Sequence, residues 1–124
     1  MSFESELTGV MIDDCFVYGW RQVAEVLIFE IDASLWPGNP HHEKPRAGEW
    51  TCYKRAELVF SGVREVSGLL PMQIVRSNTD HDGTIDYDTI EGLTEIPGGF
   101  GIIGDFGDVT IMAERMQLEF STQA

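Results

Sequence analysis

Three features of the 124-residue sequence predict an all-β fold, an antiparallel sandwich or barrel of about eight short strands with one long Pro-rich loop. Apolar and polar residues alternate at period two through most apolar stretches. Turn-forming residues interrupt those stretches every ~8–15 residues. No segment carries a helical repeat, and the best helix candidate, 65–70, is broken by Gly68 and stopped by Pro71. The length suits a single domain over 1–124, because domains commonly run ~100–150 residues.

The organising stretch is Val23–Asp32, the densest run of β-branched and aromatic residues. Leu27, Phe29 and Ile31 point one way in a strand, and Glu30 and Asp32 the other. Before it, Leu7–Ile12 and Phe16–Trp20 read as short strands separated by an Asp13-Asp14 turn, with Phe16, Tyr18 and Trp20 forming an aromatic row towards the core. After it, residues 34–48 hold three prolines and two glycines and cannot propagate a ladder. Trp36 and Trp50 bracket this loop and are placed to pin its ends.

Strand character returns over Trp50–Val66, where Ala56, Leu58 and Phe60 share a face and Gly62 marks a bulge or bend. Met72–Arg76 and Thr84–Ile90 follow as strands, the second with Ile85 and Tyr87 opposed to Asp86 and Asp88. Ile96-Pro-Gly-Gly99 is a turn. Phe100, Ile102, Gly104 and Phe106 share a parity, Gly107-Asp108 reads as the next hairpin turn, and Val109–Phe120 is the last strand, irregular near Ala113–Arg115.

Twenty-one acids against eight bases leave a net charge of −13, which opposes binding to nucleic-acid phosphates. Between Arg76 and Arg115 there is no Lys or Arg, while Asp80, Asp82, Asp86, Asp88, Glu91, Glu95, Asp105, Asp108 and Glu114 all fall there. Such a surface keeps a small domain soluble and also suits a basic protein partner. The first residues lack a secretory signal pattern, and the longest apolar run, Val26–Phe29, is far short of the ~20 residues of a membrane helix. A soluble cytoplasmic protein is expected, with Cys15 and Cys52 as free thiols in a reducing compartment.

Asn78-Thr-Asp80-His-Asp82-Gly83-Thr84-Ile-Asp86 resembles the calcium loop of the EF-hand family. Asn78, Asp80 and Asp82 occupy ligand positions 1, 3 and 5, Gly83 the bend, Thr84 the backbone-carbonyl position and Asp86 position 9. The bidentate Glu of position 12 is replaced by Thr89, and both flanks read as strands rather than helices. An acidic β-turn explains the same residues, so no cofactor is expected, Ca²⁺ at this loop being the one candidate.

His41-His42 point apart in an extended loop, and His81 is surrounded by aspartates. No Ser or Cys sits in a Gly-x-Ser-x-Gly setting. The glycine-rich segments near Phe100 and Phe106 lead into strands, not into a phosphate-cradling helix N-terminus. No catalytic residue is identified.

Trp50 followed by Leu58-Val-Phe60-Ser-Gly62-Val63, after a long apolar strand and a loop, resembles a broad group of small bacterial all-β domains of unknown function. Some of that group look like immunity proteins paired with secreted toxins. The resemblance implies a binding role. The expected function is a non-enzymatic acidic interaction module, immunity- or inhibitor-like. Its partner face would comprise Asp80, Asp82, Asp86, Asp88, Asp105 and Asp108, with Trp36 and Trp50 adding aromatic contact. The alternative is a β-barrel binding a small ligand or divalent cation, its cavity lined by Phe16, Tyr18, Trp20, Phe100 and Phe106.

Overall fold

The computed structural model describes residues 3–120. A one-turn helix, α1 (Phe3–Glu6), and a 3-10 turn (Ile12–Asp14) precede ten strands. These are β1 (Phe16–Val23), β2 (Val26–Leu35), β3 (Cys52–Ser61), β4 (Glu65–Ser67), β5 (Asn78–Thr79), β6 (Ile85–Asp86), β7 (Gly92–Ile96), β8 (Gly99–Gly104), β9 (Gly107–Met112) and β10 (Arg115–Phe120). One four-stranded sheet runs β1-β2-β3-β10, a second runs β4-β9-β8-β7, and β5-β6 form a separate hairpin. All pairings are antiparallel and neither large sheet closes on itself. The sandwich prediction therefore holds, and the barrel alternative does not.

β2 and β3 form the centre of the first sheet, because each buries one side and pairs along both edges. Leu27, Phe29, Ile31, Ala33 and Leu35 of β2 are fully buried, with Ala56, Leu58 and Phe60 of β3 beside them. The second sheet contributes Phe100, Ile102, Phe106, Val109 and Ile111. Rings interlock between the layers, Phe29 against Phe106 at 5.0 Å and Phe60 against Phe100 at 5.4 Å between centroids.

Several strand boundaries differ from the sequence reading. The stretch Val23–Asp32 is not one strand from its start: Ala24 adopts φ 53 and, with Glu25, turns β1 into β2, pairing Val23 with Val26. Neither residue is Asn or Gly, so the turn carries no sequence signal. Leu7–Ile12 forms turns and a single bridge, Val10 to Leu35, rather than a strand. Met72–Arg76 opens with a 3-10 turn (Met72–Ile74). The hairpin between β8 and β9 turns at Asp105-Phe106, two residues before the predicted Gly107-Asp108, because Gly104 pairs with Gly107.

The aromatic row of β1 is split. A bulge between Val17 and Gly19 changes which residues face inwards, so Val17 and Trp20 enter the core while Phe16 and Tyr18 lie on the outside. Trp20, Phe100 and Phe106 belong to the hydrophobic core between the two sheets.

Val109–Phe120 likewise divides, β9 joining one sheet and β10 the other, with Ala113-Glu114 as the crossing. Its counterpart is Gly62–Arg64, between β3 and β4. Gly62 has φ +65, and the two crossings lock together through Arg64 N to Met112 O at 2.7 Å and Glu114 N to Ser61 O at 3.1 Å.

Candidate functional site

Sheet register builds a continuous outer face on β1-β2-β3-β10. Residues paired across antiparallel strands project to the same side. Ser34 therefore sits beside Tyr53, Phe16 beside Asp32 and Arg55, and Glu30 beside Glu57, which in turn faces Glu119.

Polar and aromatic contacts organise one end of this face. Asp14, delivered by the 3-10 turn, accepts the Ser34 hydroxyl at 2.9 Å and the Tyr53 hydroxyl at 2.7 Å through one oxygen. The Trp50 indole N–H donates to the Tyr53 oxygen at 3.0 Å. Trp50 is 67% exposed, so this hydrogen bond fixes a large apolar ring at the surface. Phe16 packs against Tyr53 with ring centroids 6.0 Å apart. The Tyr18 hydroxyl donates to Asp32 at 2.8 Å, and the Arg55 guanidinium lies 3.9 Å above the Tyr18 ring.

Burial, reinforced by the Asp14 hydrogen bond, pushes the Tyr53 phenol up to about 12. Burial and the Asp32 hydrogen bond raise the Tyr18 phenol as well. Both remain neutral donors through the ordinary pH range.

Further along the face, Arg21 reaches Glu57 at 3.0 Å and Glu30 at 3.5 Å. Between the Glu30-Glu57-Glu119 row and Arg55, Ala56 and Phe120 lies a cavity of about 200 Å³.

The acidic residues singled out from sequence lie elsewhere. Asn78 pairs with Asp86 and Thr79 with Ile85, so the calcium-like segment is a β-hairpin closed by Asp80 N to Thr84 O at 2.8 Å. Asp82 caps the turn by accepting the Thr84 N–H at 2.9 Å, and this bond lowers its carboxyl pKa. Asp86 is buried while Ile85 is exposed, the reverse of the predicted facing. Its Oδ1 accepts from Asn78 Nδ2 at 3.2 Å and from the Asp88 N–H at 3.0 Å. This oxygen serves the hairpin itself. Among the described residues, no three His, Cys, Asp or Glu side chains gather as a metal-holding group.

Trp20 brings the two acidic segments to a common centre. Its ring meets Tyr87, between Asp86 and Asp88, at 5.0 Å and Phe106, between Asp105 and Asp108, at 5.7 Å. Asp105 and Asp108 are exposed, as are Asp80, Asp82 and Asp88. The tryptophans belong to other surroundings, Trp50 with Tyr53 and Trp36, 52% exposed, beside Gly9, Val10 and Met11.

Beside the Trp50–Tyr53 bond at its end, the Pro-rich loop is pinned by Asn39. It is buried, donates to Thr8 O at 2.8 Å and accepts the His41 N–H at 2.8 Å. His41 stacks on Phe120 at 4.1 Å, and Cys15 and Cys52 are free and buried.

Among the described residues, no helix is long and apolar enough to cross a membrane. No family model, curated protein or solved structure matches this chain.

Proposed function

We propose that the chain is a non-enzymatic interaction module for a basic protein partner, acting in the cytoplasm in the manner of an immunity or inhibitor protein. One observation carries the reading: Trp50 is 67% exposed yet hydrogen-bonded in place to Tyr53, itself held by Asp14. An exposed aromatic ring with restricted rotation loses little entropy on binding, and such rings are common anchors of protein interfaces. The net charge of −13 selects the sign of the partner and would speed its encounter. The same charge opposes a nucleic-acid partner.

Calorimetric titrations separate this reading from a cation site at residues 78–86. At 50 mM NaCl the expected result is heat with hexa-arginine, none with hexa-glutamate, and none with Ca²⁺ or Zn²⁺ to millimolar concentration. Saturable metal binding, lost on Asp82→Asn and unaccompanied by hexa-arginine binding, would replace the proposal with the cation reading.

A further inference from the structure

We infer that the exposed ring of Trp50 and the neighbouring Asp14 carboxylate together receive an arginine side chain of the basic partner. The inference rests on the binding-module reading and names the contact that distinguishes one kind of basic partner from another. Two tyrosine–aspartate units occupy this end of the β1-β2-β3-β10 face, Tyr18 donating to Asp32 at 2.8 Å and Tyr53 donating to Asp14 at 2.7 Å. The first unit already holds a guanidinium, that of Arg55, 3.9 Å above the Tyr18 ring. The second repeats the phenol and the carboxylate and adds the Trp50 ring, yet among the described residues no cation lies over Tyr53 or Trp50. Lys54, next to Tyr53 in the chain, is paired with Glu43 instead.

The second unit has both surfaces that a guanidinium uses. Trp50 is 67% exposed while its N–H is committed to Tyr53, so what it offers a partner is the π face of the indole. Asp14 accepts Ser34 and Tyr53 through Oδ2 alone, and its Oδ1 takes no hydrogen bond among the described residues. Within those residues no buried side-chain oxygen lacks a partner, so Oδ1 opens to solvent. A single phenol oxygen bridges the two groups, 3.0 Å from the indole nitrogen and 2.7 Å from Asp14 Oδ2. One arginine spans that separation by laying its guanidinium on the ring and turning an N–H edge to the carboxylate. An ammonium is a point charge without a flat face to stack, which favours arginine over lysine.

The test is an NMR titration of the intact chain with hexa-arginine and with hexa-lysine at 50 mM NaCl, following the indole N–H signals of the three tryptophans. The Trp50 signal, assigned by its loss in Trp50→Phe, should move saturably with hexa-arginine. Hexa-lysine should bind at least about threefold more weakly. Asp14→Asn is the discriminating variant, because its amide oxygen can keep the bonds from Ser34 and Tyr53 while its NH₂ group replaces the open Oδ1 and repels a guanidinium. It should lose about tenfold in hexa-arginine affinity, the value of one charge-assisted hydrogen bond. Asp80→Asn removes the same charge from the β5-β6 hairpin and should lose less than about threefold. Thermal melts establish folding, and Trp50→Ala, at an exposed position, stands in if Asp14→Asn unfolds, with an expected loss of about fivefold. Equal losses in Asp14→Asn and Asp80→Asn, unchanged affinity in Trp50→Ala, or equal affinity for the two peptides overturn the arginine site. A Trp50 signal that stays still while hexa-arginine binds also overturns it, and leaves the binding-module reading in place. Absence of hexa-arginine binding by the wild-type protein overturns both.

Discussion

Cys15 is the residue whose burial has the plainest consequence for stability. Its thiol donates to Met11 O at 3.2 Å, and its sulfur accepts the Ser34 N–H at 3.4 Å. Burial, followed by smaller effects from nearby aspartates, raises its pKa from 9.0 to about 12. The folded protein therefore favours the protonated thiol. That contribution is complete below pH 9.0 and is lost as the pH rises towards about 12. Urea denaturation between pH 8 and 10.5 should show wild type losing more stability than Cys15→Ala, and equal losses would contradict the assignment.

Trp20 and Trp50 give opposite expectations for the same substitution. Trp20→Ala empties a core position and leaves Leu70 O without its 2.9 Å donor, costing about 3–5 kcal/mol. Trp50→Ala should change stability by no more than ~0.5 kcal/mol, since its ring is exposed. Hexa-arginine affinity should fall for Trp50→Ala, and an unchanged affinity would remove the aromatic anchor from the binding account.

At the scale of elements, the glutamate row makes β10 a place where stability can be gained. Glu119→Gln removes a like-charge neighbour of Glu57 and should raise stability by a few tenths of a kcal/mol, up to ~0.5, in low salt. A decrease would mean that Glu119 has a stabilising partner. Close backbone approach sets a second expectation at β4. A Cβ on Gly68 would lie 2.0 Å from Asp108 O at φ +88, so Gly68→Ala should cost roughly 2 kcal/mol or more, read by thermal melting.

The same elements explain how far the sequence could be read. β2 and β3 are paired on both sides, so their core faces repeat at period two and were legible directly. β1 was not, because one extra residue at the bulge exchanges its faces at Tyr18, with the neighbouring Gly19 as the one mark of the shift. The β5-β6 hairpin was legible as an acidic turn, but Asp86 is turned inwards by its bonds to Asn78 and Asp88, which spacing alone does not encode. The outer face was invisible for a different reason. Asp14 meets Tyr53, and Glu30 meets Glu57 and Glu119, only through the register of strands far apart in the chain.

For the whole molecule, the excess of carboxylates opposes compaction and, in the proposed function, sets the sign of the partner's charge. Self-repulsion among charges totalling −13 predicts a melting temperature that rises between 10 mM and 0.5 M NaCl, and a falling one would show that ion pairs outweigh the repulsion. Binding should respond in the opposite sense. The most direct measurement is the affinity of the intact chain for hexa-arginine across that salt range. Progressive weakening with added salt is the predicted result, whereas affinity indifferent to salt would contradict recognition of a basic partner through charge.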